Sequence, residues 1–148
     1  MATNTANATP IFTNTGNFFP VRITGGNIFS DGQGAAGTSL FQLVIAGTDG
    51  TRVDGVRFRN LGTGGTSAST SNVHRIFLSG SSGSSNLRLV GEVAVTGGTR
   101  NSTTIGVTSI FTFDQPIIMK NGQILWVSQS TYVGDQDRYD ALAYASDY

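Results

Sequence analysis

The stretch that decides the fold is Val53–Val95, which reads VDGVRFRNLGTGGTSASTSNVHRIFLSGSSGSSNLRLVGEVAV. Three runs within it, Val53–Asn60, Val73–Ser79 and Leu87–Val95, alternate apolar with polar side chains, and tracts of Gly, Ser and Thr separate them. Alternation with a period of two is typical of half-buried β-strands, because successive side chains of a strand point to opposite faces of a sheet. This stretch therefore predicts three strands joined by exposed connections.

Strand-sized runs continue on both sides of this stretch. They are Thr38–Ala46, Ile105–Phe113, Ile117–Met119, Ile124–Ser128 and Tyr139–Ala145. We expect Asp114-Gln115-Pro116 to break the strand pattern, and we expect a hairpin at Asn121-Gly122, because both of its residues tolerate positive φ. Tyr139–Ala145 also permits one helical turn. Short strands at regular intervals, without an amphipathic helix, indicate an all-β antiparallel sandwich or barrel rather than βαβ units.

Residues 1–37 differ from the rest of the chain, since they are rich in Thr, Asn and Gly and show no sustained period. Their phenylalanines are Phe12, Phe18, Phe19 and Phe29. Such a segment cannot build a core of its own. Two interpretations stay open: a loose terminus with a strand near Val21–Ile23, and an extended arm that docks on a neighbouring subunit. We predict an arm at 1–37 and a sandwich domain at 38–148.

Composition narrows the function classes. Charged residues make up 12% of the 148 residues, and nine Lys and Arg balance nine Asp and Glu. A net charge of zero does not indicate attraction to nucleic acid, and a surface with few charges favours an assembled protein over a free monomer. The absence of cysteine excludes a disulfide framework. No apolar run approaches the length of a membrane span, so we expect neither an export signal nor a membrane anchor.

Few residue combinations suggest catalysis or metal binding. His74 is the single histidine, so any Ser-His-Asp site must include it, and no G-x-S-x-G motif supports one. We expect a structural or solvent-facing histidine and no catalytic residue. Asp135-x-Asp137-x-x-Asp140 clusters carboxylates, as Ca²⁺ requires, but lacks the central glycine and distal glutamate of an EF-hand. An exposed acidic turn that pairs with Arg138 is therefore expected, with no metal and no cofactor.

Arginines and aromatic residues bear on the binding partners. Arg57, Arg59, Arg75 and Arg88 lie on predicted strands. Without flanking lysines, cross-strand pairing with Asp54 and Glu92 is the expected role of these arginines, and no nucleic-acid partner is predicted. Trp126 lies in an apolar run and is predicted to belong to the core. Tyr139, Tyr144 and Tyr148 cluster near residue 148, where aromatic rings suit contact with protein better than contact with sugar.

The stretch Val53–Val95 resembles small virion structural proteins of tailed bacteriophages. In those proteins a strand is followed by a Leu-Gly-Thr turn, a strand of the Val-x-Arg-Ile-Phe type, a Gly/Ser loop and a Leu-x-Gly-Glu-Val strand. The segment Phe113–Val127, FDQPIIMKNGQILWV, is similar to their paired apolar strands around a tight Gly turn. Asn121 stands where many relatives have proline.

The resemblance implies a jelly-roll-like β-sandwich that acts as a head decoration, or cement, protein. It implies a homotrimer made in the host cytoplasm that binds the major capsid protein on the outer capsid surface of the virion, with terminal arms that bridge capsid subunits. We therefore predict interface residues in two groups: Phe12, Phe18 and Phe19 in the arm, and Tyr144 and Tyr148 as a second contact. No membrane partner is expected.

Two other functions stay open. One is a phage tail or fibre-associated module that binds a host-surface glycan through its last tyrosines. The other is a small hydrolase that uses His74.

Overall fold

The computed structural model describes residues 15–26, 38–61, 69–80, 84, 86–99 and 106–148. Over this part of the chain the strands are β1 (Thr15–Ile23), β2 (Phe41–Ile45), β3 (Thr51–Asn60), β4 (Asn72–Ser79), β5 (Leu87–Val95), β6 (Thr108–Met119), β7 (Ile124–Gln129) and β8 (Tyr139–Asp147). A short 3-10 turn, Asp135–Asp137, precedes β8. A helix long and apolar enough to cross a membrane does not occur in these ranges.

The strands pair as a jelly roll. Four antiparallel pairs, β1 with β8, β2 with β7, β3 with β6 and β4 with β5, describe one long hairpin whose tip lies between β4 and β5. Two further antiparallel pairs, β3 with β8 and β4 with β7, roll this hairpin up. The result is a first sheet ordered β1-β8-β3-β6 and a second sheet ordered β2-β7-β4-β5. Two four-stranded sheets in this order form a jelly roll and confirm the predicted all-β sandwich.

The core lies between the two sheets, and strict alternation along the strands fills it. On β8, Tyr139, Ala141, Ala143 and Ala145 are buried, whereas the residues between them are partly exposed. Val56 and Phe58 of β3 face Ile76 of β4 and Val127 of β7 in the same cluster. Burial of such side chains contributes about 1.5–3 kcal/mol each, which makes this layer the main source of stability.

Residues 15–23 belong to the sandwich, although they lie within the segment that we expected to be an arm. β1 pairs with β8 along its whole length, from Thr15 opposite Asp147 to Ile23 opposite Tyr139. Ile23 is fully buried, and Phe19 and Val21 pack against the core. The sandwich therefore begins before residue 38. Residues 1–14 and 27–37 lie outside the described residues.

The structure corrects the expected break at Asp114-Gln115-Pro116. β6 continues through these residues to Met119, and its pairing with β3 jumps from Gly55 opposite Thr112 to Val53 opposite Ile117. The intervening residues form a wide bulge opposite Asp54. A bulge on an edge strand tolerates proline, because no neighbouring strand requires the N–H that proline lacks.

The predicted hairpin at Asn121-Gly122 is also wrong, although the tight turn is present. Gln123 N donates to Lys120 O over 3.0 Å, and Gly122 has a φ of 82°. However, β6 lies in the first sheet and β7 in the second, so the two strands do not pair. Positive φ at Gly122 without positive φ at Asn121 is typical of a type II turn, which splays its strands, whereas a two-residue hairpin favours the primed turn types.

A bulge in β5 interrupts the alternation of its apolar residues between the two faces of the sheet. Ile76 pairs with Gly91 and Phe77 with Leu89, so Val90 is the extra residue. Val93 and Val95 therefore face the core, whereas Leu89, on the other side of the bulge, is 38% exposed. A Cβ atom at Gly91 would lie 2.6 Å from the ring of Phe111, which reaches across from β6, so a larger residue here would require that ring to shift.

Candidate functional site

His74 lies inside the core, between aromatic rings of the opposite sheet. Its imidazole stacks on Phe58 with ring centroids 4.5 Å apart and meets the edge of Tyr139 at 4.3 Å. The residue is fully buried, and neither ring nitrogen has a hydrogen-bond partner among the described residues. Of the two positions expected for His74, structural and solvent-facing, the structure shows the first.

The environment of His74 fixes its charge state. Desolvation by burial lowers the pKa of the imidazole from 6.5 to about 3, so the ring is neutral at physiological pH. Burial likewise raises the pKa of the Tyr139 hydroxyl. A general base needs hydrogen-bond contact with the proton that it removes. The aromatic enclosure of His74 leaves no room for such a contact with solvent or substrate.

Asp137 is fully buried and holds two loops, so the prediction of an exposed acidic turn is wrong for this residue. Its Oδ1 accepts hydrogen bonds from Thr70 N at 2.8 Å and Thr70 Oγ1 at 3.0 Å, and its Oδ2 accepts one from Val133 N at 2.9 Å. Gln129 Nε2 donates to the Asp137 carbonyl oxygen at 3.0 Å. The carboxylate is thus occupied by backbone and side-chain donors that close this end of the sandwich.

The other carboxylates of the predicted turn do not join Asp137. Asp140 Oδ1 accepts a hydrogen bond from Arg22 Nε at 3.3 Å, and Asp140 is a partly exposed residue of β8. The side chain of Asp135 lies outside the described part of the structure. Groups of three or more His, Cys, Asp or Glu side chains able to hold a metal are absent from the described residues.

Four of the eight arginines lie on one surface, the outer side of the first sheet. We call this surface the arginine face and define it by Arg22, Arg52, Arg57, Arg59, Ile110, Leu142 and Tyr144. Each of these residues occupies an outward position in the alternation of its strand. Because the inward neighbours fill the core, the arginine face is the solvent side of the sheet.

Cross-strand register arranges the arginine face in rows. One row runs Pro20, Leu142, Arg57 and Ile110, and the next runs Arg22, Asp140, Arg59 and Thr108. Ile110 is 57% exposed. This row therefore combines exposed aliphatic area with arginine, a residue type that is enriched in protein interfaces.

The charges on the arginine face are only partly compensated. Arg52 Nη2 lies 2.7 Å from Asp54 Oδ1, and Arg22 pairs with Asp140. Arg57 and Arg59 have no ion-pair or hydrogen-bond partner among the described residues. The expected cross-strand pairing is thus correct for Arg75 and Glu92, whose Nε and Oε1 atoms are 2.7 Å apart, but wrong for Asp54, which pairs within its own strand.

The predicted interface residues fall in different places. Tyr144 lies on the arginine face, and the backbone of Phe18 pairs with it in β1. Phe19 is half-buried and packs inward against the core, which removes it from the solvent side of the sheet. Tyr148 lies beside the Gly50 turn, where its backbone N donates to Gly50 O at 3.3 Å. Phe12 and the side chain of Phe18 lie outside what the structure describes.

The outer side of the second sheet is different, because a second apolar cluster covers its centre. The cluster consists of Leu40, Phe77, Ile124 and Trp126, with Leu87 packed against it. Trp126 is 6% exposed, which confirms its assignment to a core and excludes its ring as an exposed platform for sugar. On the arginine face, by contrast, Ile110 is more than half exposed, and so is Ile118, which stands opposite Arg52 in the register.

All four sheet edges resist the addition of another strand. β1 carries Pro20 at its centre, and β6 carries Pro116 within its bulge. β2 has five residues and a register shift, and β5 has a bulge of its own. Proline, short length and bulges are the features that protect edges from pairing. Binding through sheet faces is therefore favoured over binding through sheet edges.

A depression of about 260 Å³ lies at the end of β4 and β5, with Ser71, Asn72 and Ser130 in its lining. Its polar atoms are already used: Asn72 Nδ2 donates to Thr131 O at 2.7 Å, and Asn72 Oδ1 accepts from Ser130 Oγ at 2.9 Å. The described lining contains no aromatic ring. These hydrogen bonds stabilise the loop and leave few polar atoms of the lining to bind a ligand.

Sequence reasoning missed Ile110 and Leu142 as surface residues of a candidate site. Ile110 alternates with the inward Phe111, and Leu142 lies between the inward Ala141 and Ala143, so period-two alternation would have placed both outward. That both residues lie next to Arg57 depends on the register of the strands, which alternation along one strand does not predict. Comparison with protein-family models and with curated proteins found no match for the chain.

Proposed function

We propose that this chain is a non-enzymatic structural protein of a phage virion, a capsid decoration protein that binds and stabilises the major capsid shell. The observation that carries the proposal is the arginine face, an exposed surface in which Leu142, Arg57 and Ile110 form one row. The resemblance of Val53–Val95 to phage virion proteins supplies the partner, the major capsid protein. Jelly rolls occur in viral capsids, but they also occur in lectins and cupins, so the fold supports the proposal only in general terms.

The chemistry of the described residues supports adhesion rather than turnover. His74 is neutral and enclosed by Phe58 and Tyr139, and the Asp137 carboxylate is occupied by hydrogen bonds within the chain. A passive scaffold needs only a stable core and a surface that fits its partner. The face of the first sheet supplies apolar area and arginine, the two components that dominate binding energy in protein interfaces.

A pair of matched variants tests the proposal. Ile110 is 57% exposed on the arginine face, and Val133 is 65% exposed on the loop before the 3-10 turn. We expect Ile110→Asp to weaken co-sedimentation with purified, DNA-free capsid shells at least about tenfold, because the variant loses the apolar contact area of Ile110 and its carboxylate would pair with Arg57, which stands opposite it in the register. We expect Val133→Asp to bind as the unmodified protein does.

Two further measurements make this test decisive. Light scattering should give the same mass for Ile110→Asp as for the unmodified chain. A lower mass would instead assign the arginine face to self-association. Quantification of the chain in purified virions should give a copy number comparable to that of the shell protein. A trace amount, or shell binding that Ile110→Asp does not change, would contradict the proposed function.

A further inference from the structure

We propose that the arginine face receives a protein segment whose carboxylates, two residues apart in extended conformation, pair with Arg57 and Arg59. The inference rests on the proposed function for the use of this face as a docking surface, and it adds the chemistry of the partner. Arg57 and Arg59 are both outward residues of β3, the third strand of the first sheet.

The first argument is electrostatic. Both carboxylates next to the two arginines are taken by other arginines: Asp54 by Arg52 at 2.7 Å, and Asp140 by Arg22 at 3.3 Å. Asp140 stands directly opposite Arg59 in the register and still bonds to Arg22. Arg57 and Arg59 thus place two positive charges side by side on one face of β3 without a partner among the described residues. A carboxylate of a binding partner would supply the ion pairs that Arg57 and Arg59 lack within the described residues.

The second argument is geometric. Residues two apart on one strand lie about 7 Å apart, since each residue of a strand rises about 3.3 Å. An extended partner segment has the same spacing between alternate side chains, so carboxylates at positions i and i+2 match Arg57 and Arg59. Arginine binds carboxylate in a bidentate manner, which gives such a pair orientation as well as attraction.

The third argument separates protein from nucleic acid. Leu142 and Ile110 flank Arg57 in its row, and neither offers a contact to phosphate. Asp54 and Asp140 lie on the same face and neutralise Arg52 and Arg22, so this face lacks the continuous basic stripe that a phosphate backbone requires. Alternating arginine and aliphatic side chains suit a peptide in which acidic residues alternate with apolar ones.

The test uses the folded protein and two synthetic peptides. In one peptide Glu alternates with Val, and in the other Gln replaces every Glu. We expect NMR titration at low salt to shift the Nε–Hε signals of Arg57 and Arg59 with the Glu peptide, with an affinity at least about tenfold higher than for the Gln peptide. The matched variants are Arg57→Gln/Arg59→Gln and Arg88→Gln, since Arg88 is exposed on the second sheet.

The double variant should lose the preference for the Glu peptide, and Arg88→Gln should keep it. Equal binding of both peptides, or equal binding by the double variant, would overturn the inference. So would tighter binding of duplex DNA than of the Glu peptide. The peptide test does not use the shell, so the two claims can fail separately. If the protein prefers the Glu peptide but does not bind shells, the proposed function alone is rejected. If it binds shells but shows no preference for the Glu peptide, this inference alone is rejected.

Discussion

At the scale of single residues, His74 and Asp137, two ionisable groups inside the sandwich, have opposite roles. His74 is buried in aromatic surroundings without a hydrogen bond among the described residues, so its neutral form is the one that the fold accepts. Asp137 is buried with three hydrogen bonds to its carboxylate, so its polar contacts are part of what the fold requires. Burial alone therefore does not decide what a charged or titratable residue contributes, because the partners decide it.

His74 should make the stability of the protein depend on pH. The folded-state pKa is lowered from 6.5 to about 3, so between these values the unfolded chain binds a proton that the folded chain does not. Above pH 6.5 the titration of His74 should therefore not lower the free energy of unfolding. Below pH 6.5 the free energy of unfolding should fall by up to about 1.4 kcal/mol per pH unit. Urea denaturation of the unmodified protein and of His74→Leu between pH 7 and pH 4 measures this contribution. The pH profile of the variant should be flatter, and parallel profiles would contradict the burial of His74.

Asp137→Ala should destabilise the protein by about 1–3 kcal/mol, because the part-buried N–H groups of Thr70 and Val133 would lose their acceptor. Asp49→Ala is the matched control, since Asp49 is exposed in a turn. Its effect on the free energy of unfolding should stay within about 0.5 kcal/mol. Equal effects of the two substitutions in denaturant titrations would refute the role assigned to Asp137.

At the scale of elements, β1 decides where the sandwich begins. The strand pairs with β8 throughout and sends Phe19, Val21 and Ile23 to the core. It also closes one edge of the first sheet, where Pro20 hinders the addition of another strand. The strand is therefore part of the scaffold, and removal of residues 1–20 would test folding rather than an arm.

Two truncations separate these roles. A chain that starts at residue 15 keeps all of β1 and should unfold at nearly the same temperature as the full chain. A chain that starts at residue 21 loses two thirds of β1 together with Phe19, and we expect its melting temperature to fall by about 10 °C or more. Thermal unfolding followed by circular dichroism compares the two chains. Full stability of the shorter chain would show that β1 is dispensable.

At the scale of the whole molecule, the jelly roll joins distant parts of the chain. Thr15 pairs with Asp147, so the outermost strand pair forms only when both ends of the described chain meet. The same topology brings β8, β3 and β6 side by side and thereby assembles the arginine face from three separate parts of the sequence. The function that we propose is thus a property of the assembled sheet and of no single strand.

The intact protein should be a trimer. A surface with 12% charged residues and a net charge of zero gives weak protection against association, and the resemblance to decoration proteins implies three copies. Light scattering at neutral pH should therefore give about three times the chain mass of 15.5 kDa. Measurement over a range of dilutions is the appropriate check. A monomer at every concentration would contradict this prediction and weaken the proposed function.

Local patterns determined much of this protein. Alternation predicted the strands from Val53 to Val95 and the burial of Trp126, and it left open whether His74 is structural or solvent-facing. It worked because inside and outside are local properties of a strand, set by the two-residue period. The exposed position of Tyr144 follows from the same alternation along β8.

Tertiary structure alone decided the rest. Three features depend on which strands lie side by side. They are the passage of the chain between sheets at Asn121-Gly122, the bulges in β3, β5 and β6, and the burial of Asp137. The row of Leu142, Arg57 and Ile110 exists for the same reason. Strand pairing is a long-range choice in which hydrogen bonds and a shared core select the register, and a one-residue bulge turns the following side chains to the other face. Alternation tells which side chains point outward, whereas only the fold tells which of them become neighbours.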